Sequence, residues 1–345
     1  MDTYSLLKSL IDIPCPSGYE NGLQKTIIDI VSPLVDKIEL DVQGNLVAYK
    51  KAKSVNSKTL MFIAHADEVG LLVQYIEDDG YIRFSKIGGV DIQILKGRNV
   101  VILHEKKEIS GVIGVRPIHM ENEDSKHKVD ISELWIDIGT CSKAETESLV
   151  SIGDPIIMDS KLSRLTNNKV SGKACDDKAG IVTLIKALEV LKQNQIESQY
   201  NIVLVISVQE EVGARGATTA SFNINPDIGI AIDVAHATDY PTINKAKHGD
   251  IRLGGGVIIP TSADTSRSIQ AKFKDIAMSQ NIPFQSLAIS GQSGTDAQAI
   301  QISRGGCLVG LLSIPCRYMH SPAEVISFTD IEYAAKLIVE FCRVV

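Results

Sequence analysis

No two of the six cysteines form a Cys-x-x-Cys pair: Cys15, Cys141, Cys175, Cys307, Cys316 and Cys342 are scattered along the 345 residues. That excludes zinc knuckles and redox dithiols of that type, and reduced thiols in or near the core are expected instead. Long apolar runs are missing too. The longest, such as Asn201-Ile-Val-Leu-Val-Ile-Ser207, fall far short of the roughly 20 residues that span a bilayer. Nor is there an excess of positive charge: 35 Lys and Arg face 42 Asp and Glu, a net charge of −7, and no basic stripe gathers to meet phosphates. Neither nucleic acid nor membrane is an expected partner. The amino end has no basic n-region, apolar h-region or small-residue cleavage site, so a cytoplasmic protein is expected. Core material, by contrast, is plentiful. With 44% hydrophobic residues the chain can fill one large core or two smaller ones, and disorder is excluded.

Leu6 to Ile13 has an amphipathic helical pattern stopped at Pro14-Cys15-Pro16, and Ser17-Gly-Tyr-Glu20 matches a capping box opening a helix to about Ser32. Lys37-Ile-Glu-Leu40 and Leu46-Val-Ala-Tyr49 flank the turn Gln43-Gly44-Asn45 as a hairpin, and Thr59-Leu-Met-Phe-Ile-Ala64 reads as a buried central strand. From about Leu71 to Pro155 the texture changes to short glycine-punctuated strands with almost no helical period. After Asp177 helices and strands alternate, with a helix over 179–192, strands at 201–208, 228–233, 284–290 and 307–312, and helices at 264–280 and 295–303. Thr329-Asp-Ile-Glu332 is a second capping box before a last helix. This order predicts an α/β fold with a mostly parallel sheet covered by helices. Its main domain is formed by residues 1–70 and 161–345 and is interrupted by an inserted small β domain at 71–160.

Several acids and histidines fall where such a sheet places its ligands, at the carboxyl ends of strands. His65-Ala66-Asp67 follows the run 59–64. Residues two apart in a strand face the same side, so the Asp67 carboxylate can orient His65 as a metal ligand, although His-x-Asp alone reads as a capped surface turn. Asp176 and Asp177 stand at a helix mouth, where capping explains one of them and the second becomes useful if a dication sits between. Glu210 and Glu211 follow the strand 201–208 and allow a division of labour, one carboxylate on a metal and its neighbour free as a general base. Asp233 ends a third apolar strand, and His320 lies in a loop after a fourth. Each signal is weak alone. Together they supply the mixed nitrogen and oxygen donors that a pair of zinc, cobalt or manganese ions requires.

Six motifs in order, His65-Ala-Asp-Glu-Val-Gly70, Cys175-Asp-Asp-Lys-Ala-Gly180, Gln209-Glu-Glu-Val-Gly-Ala-Arg-Gly216, Ala231-Ile-Asp-Val234, Gly294-Thr-Asp-Ala297 and Arg317-Tyr-Met-His-Ser-Pro-Ala-Glu324, resemble the M42 family of dinuclear metal aminopeptidases, which includes the TET peptidases. The likeness covers the whole chain, including Arg116-Pro-Ile-His119 and Leu134-Trp-Ile-Asp-Ile-Gly139 in the inserted region. The resemblance implies an aminopeptidase with two divalent ions, zinc first and cobalt or manganese as alternatives. His65 and Asp233 would be terminal ligands of one ion, Glu211 and His320 of the other, and Asp176 the bridge. Glu210 becomes the general base, Asp67 orients His65, Asp177 supports the bridge, and the Asp176–Asp177 peptide is expected to be cis. Rival readings are a carboxypeptidase or deacylase on the same two-metal core, a glycosidase, or a non-catalytic assembly protein.

The chain departs from the family pattern at Cys175 and Lys178, where Leu and Arg are usual, and at Val90, where a Trp is usual. Lys178 keeps the charge but loses the planar fork of arginine. The other histidines, His104, His119, His127, His236 and His248, read as ordinary polar or core residues, with a substrate or partner role conceivable only for His119. Thr295-Asp296 reads as a helix cap, and Gly254-Gly255-Gly256 lacks the surroundings of a phosphate cradle. The inserted domain, with apolar stretches such as Val100-Val-Ile-Leu103 for a partner to cover, is expected to build a homo-oligomer. The resemblance extends that to dimers within a closed particle such as a dodecamer acting on peptides.

Overall fold

The computed structural model describes residues 1–54, 56–120 and 128–345. An eight-stranded sheet forms its centre, in the spatial order Lys37–Leu40, Leu46–Lys50, Asn201–Ser207, Thr59–His65, Ile228–His236, Leu308–Cys316, Val257–Thr261 and Phe284–Ala288. The inner strands from Asn201–Ser207 to Leu308–Cys316 run parallel, whereas the hairpin and the contact between Val257–Thr261 and Leu308–Cys316 are antiparallel. Both faces are covered, which is why the inner strands read as unbroken apolar runs. Leu60, Phe62 and Ala64 face one layer with the helices Thr3–Ile11, Cys175–Gln193 and Phe328–Val344. Met61 and Ile63 face the other, with the alanines of Arg215–Ile224 and Asp296–Gln301.

The inserted segment closes into a six-stranded barrel of Gly70–Ile76, Ile82–Ile87, Trp135–Asp137, Lys107–Gly114, Asn99–His104 and Pro155–Met158. It has a core of its own around Leu71, Val73, Phe84, Ile113, Ile136 and Ile156. Val100 and Ile102 point into that core, while Val101 and Leu103 lie outside it and are half-buried, so half of the apolar stretch Val100–Leu103 is left for a partner to cover. Strand alternation sends every second side chain inward, and closure removes the sheet edge.

Neither capping box forms. The second helix is Asn21–Val31 and no side chain caps it. Ser17 Oγ instead donates to Asp67 Oδ2 at 2.6 Å, and Glu20 Oε1 accepts from the Gly18 and Gln209 amides at 2.8 and 3.1 Å. The last helix, Phe328–Val344, likewise starts without a side-chain cap: Thr329 lies inside its first turn, and its Oγ1 accepts from Asn168 Nδ2 at 3.1 Å. In both places the serine or threonine of the box bonds a long-range partner instead. His127 lies outside the described residues. No described helix is long and apolar enough to cross a membrane.

Candidate metal centre

Parallel register brings the chemistry to one edge of the sheet. His65 is the last residue of its strand and pairs with Ser207, after which the chain turns into Glu210 and Glu211, while Asp233 lies on the neighbouring strand. Asp176 arrives from the other direction, at the first turn of Cys175–Gln193, where Ala174 is left-handed (φ 55°) and the Asp176–Asp177 peptide is cis. Asp177 Oδ1 accepts from the Gly180 amide at 2.9 Å, and a Cβ on Gly180 would stand 2.4 Å from Asp177 Oδ2. Asp177 thus caps the first turn of the helix from within.

His65 Nε2 lies 3.0 Å from Asp176 Oδ1 and 3.9 Å from Asp233 Oδ1. His320 Nε2 lies 3.2 Å from Asp176 Oδ2 and 3.3 Å from Glu211 Oε1. Two triads result, His65-Asp176-Asp233 and Asp176-Glu211-His320, each with its ligand atoms within 4.8 Å of one another. Asp176 is common to both and offers one oxygen to each side. Glu211 Oε1 is buried with no well-formed hydrogen bond and only His320 Nε2 beside it at 3.3 Å, a setting in which a cation would satisfy it. Nitrogen and carboxylate donors in this mixture fit a pair of divalent transition-metal ions.

Electrostatics make the same demand. Burial, with the charges of Asp177 and Asp176, raises the Asp233 carboxyl well above its ordinary range, and burial likewise raises Glu211. Glu210 is pushed up to about 10 by burial and then by Asp233, Asp296 and Glu211, against the favourable charge of His65. Asp176 moves down, because His320 and His65 outweigh its desolvation. So many carboxylates beside two imidazoles lack positive charge, and dications would supply it.

Further side chains hold these groups in place. The Asp67 carboxylate accepts from the Glu210 and Glu211 amides at 3.0 and 3.1 Å as well as from Ser17, fixing the turn that carries both glutamates. His65 Nδ1 lies closer to the Asp67 backbone oxygen, at 3.1 Å, than to the Asp67 carboxylate, at 3.4 Å. The strand ends at His65, so the backbone that follows can turn its carbonyl onto the ring. Lys178, fully buried, donates from Nζ to the Ala66 carbonyl at 2.7 Å, and Cys175 is a buried thiol. Glu324 went unassigned in the sequence although it closes a quoted motif. Its Oε2 accepts from the Asp176 amide at 3.0 Å and its Oε1 from the His320 amide at 2.8 Å. It reaches them because its strand pairs Glu324 with Gly172, just before the aspartates. The buried pair of Lys173 with Glu68, at 2.7 Å, was also missed, and nothing in its spacing announces it.

The barrel domain contributes as well. His320 Nδ1 faces the Gly89 carbonyl at 3.2 Å, and a Cβ at Gly89 would come within 2.8 Å of that nitrogen. Gly89→Ala should push the ring off its seat. We expect affinity for the ion on the His320 side to fall on the order of 10- to 100-fold, the usual cost of disturbing a ligand's support. Metal titration followed by calorimetry measures this, and unchanged affinity at both sites would refute it.

The centre opens into a cleft of about 530 Å³. Its wall includes His236 and His248, read from sequence as ordinary, and Thr295, which also caps its helix through the Ala297 amide at 3.2 Å. Asp296 turns inward and accepts from Ser207 Oγ at 2.5 Å. His104 pairs with Asp154 at 2.8 Å, and His119 is exposed.

A helix-covered, parallel-rich sheet with an inserted barrel, whose strand ends gather two ligand triads around one shared aspartate, defines a class of candidate dinuclear metalloenzyme. The profile of the M42 glutamyl aminopeptidase family matches residues 44–337, and the chain belongs to that family. A putative aminopeptidase of Acetivibrio thermocellus is 38% identical over 342 residues, covering 98% of each chain. Among solved structures, aminopeptidase APDkam598 from the archaeon Desulfurococcus kamchatkensis has a TM-score of 0.93 at 36% identity, over 99% of this chain and 95% of that one. The TET1 peptidase of Pyrococcus horikoshii, which can assemble into a tetrahedron or a large octahedral shell, has a TM-score of 0.88 at 33% identity over 100% of both.

Proposed function

We propose that this protein is a two-metal aminopeptidase that removes residues from the free amino end of peptides. The observation that carries the reading is the pair of triads sharing Asp176 beside the Glu210 carboxylate, which has no hydrogen-bond partner among the described residues. His65 and Asp233 would hold one ion, Glu211 and His320 the other, and Asp176 both. When bound, two divalent ions supply Lewis acidity, a water of lowered pKa and a seat for a neutral amine. Glu210 takes the proton of the attacking water and returns it to the leaving amine. Positive charge beside Glu210 favours its carboxylate and brings its pKa down from about 10, towards the range in which it accepts a proton at neutral pH. Asp67 and Glu324 keep the glutamate turn and the two ligand segments in register.

The amino-end specificity is tested with paired peptides. Free peptides should lose residues one at a time from the amino end, and their N-acetylated counterparts should resist. Equal cleavage of blocked peptides, or release from the carboxyl end, would favour the carboxypeptidase or deacylase reading instead.

Self-association through the barrel, within about residues 71–160, belongs to the same proposal. The likeness to a peptidase that assembles into a shell supports it. Light scattering at micromolar concentration should find a dimer or larger closed particle, and an active stable monomer would contradict it.

A further inference from the structure

Resting on the aminopeptidase reading, we infer that the cleft selects an uncharged, apolar first residue, of the size of leucine or methionine, over lysine and glutamate. Away from the ligand cluster the wall is built from Val234, Ala235, Ile243, Leu287, Ile289 and Met319. They come from three places, the end of Ile228–His236 with the segment after it, the end of Phe284–Ala288, and the loop after Leu308–Cys316. Among the described residues, no lysine or arginine lines the cleft, and its carboxylates are Asp176, Glu210, Glu211 and Asp233, all at the centre.

Three of the polar wall groups are already engaged. Thr238 Oγ1 donates to the Gly249 carbonyl at 2.8 Å and accepts from the Ile251 amide at 2.8 Å. Ser293 Oγ donates to Asp264 Oδ2 at 2.5 Å, and Thr295 caps its helix. Between the wall residues Thr238 and Tyr240, the Asp239 carboxylate is neutralised by Arg317, which grips it with two bonds of 2.7 and 2.6 Å. His236 is held below its ordinary pKa by burial and by the charge of His320, so it presents no fixed cation at neutral pH. A lysine or glutamate head placed here would give up water without gaining a counter-charge. A leucine or methionine side chain gains contact along the whole wall, in a cleft of ordinary size for a small ligand.

Two measurements decide this. On the metal-loaded wild-type enzyme, kcat/KM for leucine and methionine anilides should exceed that for lysine and glutamate anilides by about tenfold or more. On metal-loaded Glu210→Gln enzyme, calorimetry with free L-leucine, L-lysine and L-glutamate should give the same order without turnover. Ile289→Glu, which places a carboxylate on the wall, should raise the lysine-to-leucine ratio by about tenfold. If no anilide is cleaved while leucine still binds best, the aminopeptidase reading fails and the pocket assignment stands. Tighter binding of lysine or glutamate than of leucine, or no binding of any of the three, overturns the inference.

Discussion

Glu210→Gln should leave the fold and the metal content intact and lower turnover on the order of 100-fold or more, the usual contribution of a positioned general base. The amide is nearly the size of the carboxylate but cannot take a proton from water. The Glu210 backbone amide, which binds Asp67 Oδ1 at 3.0 Å, is untouched by the change, so the turn that presents Glu211 should hold. Glu211→Gln should behave differently. Its carboxylate lies 3.3 Å from His320 Nε2 within a triad, and neutralising it should weaken metal binding before it affects any proton transfer. Steady-state kinetics with metal analysis of both variants separates the roles. A nearly fully active Glu210→Gln enzyme would mean that base and ligand have been assigned the wrong way round.

Asp176→Ala should have the other large effect, because it takes one ligand from each triad at once. Its two oxygens lie 3.0 Å from His65 Nε2 and 3.2 Å from His320 Nε2, and no other residue belongs to both groups. We expect metal content to fall below one ion per chain and activity to fall to background, with the far-ultraviolet circular dichroism of a folded protein retained. Loss of one ion with the other held at wild-type affinity would show that Asp176 serves a single site. In that case the two-site arrangement built around it would be wrong.

The parts of this site that could be read from sequence are those announced by local pattern. An apolar run that ends in a polar residue marks a strand terminus, which is how His65, Asp233 and the Glu210-Glu211 pair could be placed. The paired aspartates 176 and 177 at a helix mouth are equally local. What escaped was whatever depends on a long-range partner. Ser17 matches a capping box by spacing, yet its hydroxyl goes to Asp67, fifty residues on. Glu324 looks like one more acid in a loop until strand pairing with Gly172 carries it to the Asp176 amide. His236 lies three residues beyond Asp233 and His248 in a short helical turn, and only the folding of that segment over the strand ends places both on the cleft. Gly89 belongs to the inserted barrel, and no spacing rule connects it with a histidine in the last quarter of the chain. Of the apolar stretch Val100–Leu103, barrel closure buries Val100 and Ile102 and leaves Val101 and Leu103 outside, because alternation alone does not say whether a small sheet stays open or closes on itself.

Metal stoichiometry against activity is the most direct test of the central claim. Enzyme stripped by chelation and dialysed should be inactive, and zinc, cobalt or manganese added in steps should restore hydrolysis of a free-amine anilide, with activity levelling off at two ions per chain by mass-spectrometric metal analysis. Full activity after exhaustive chelation, or a plateau at one ion per chain, would contradict it.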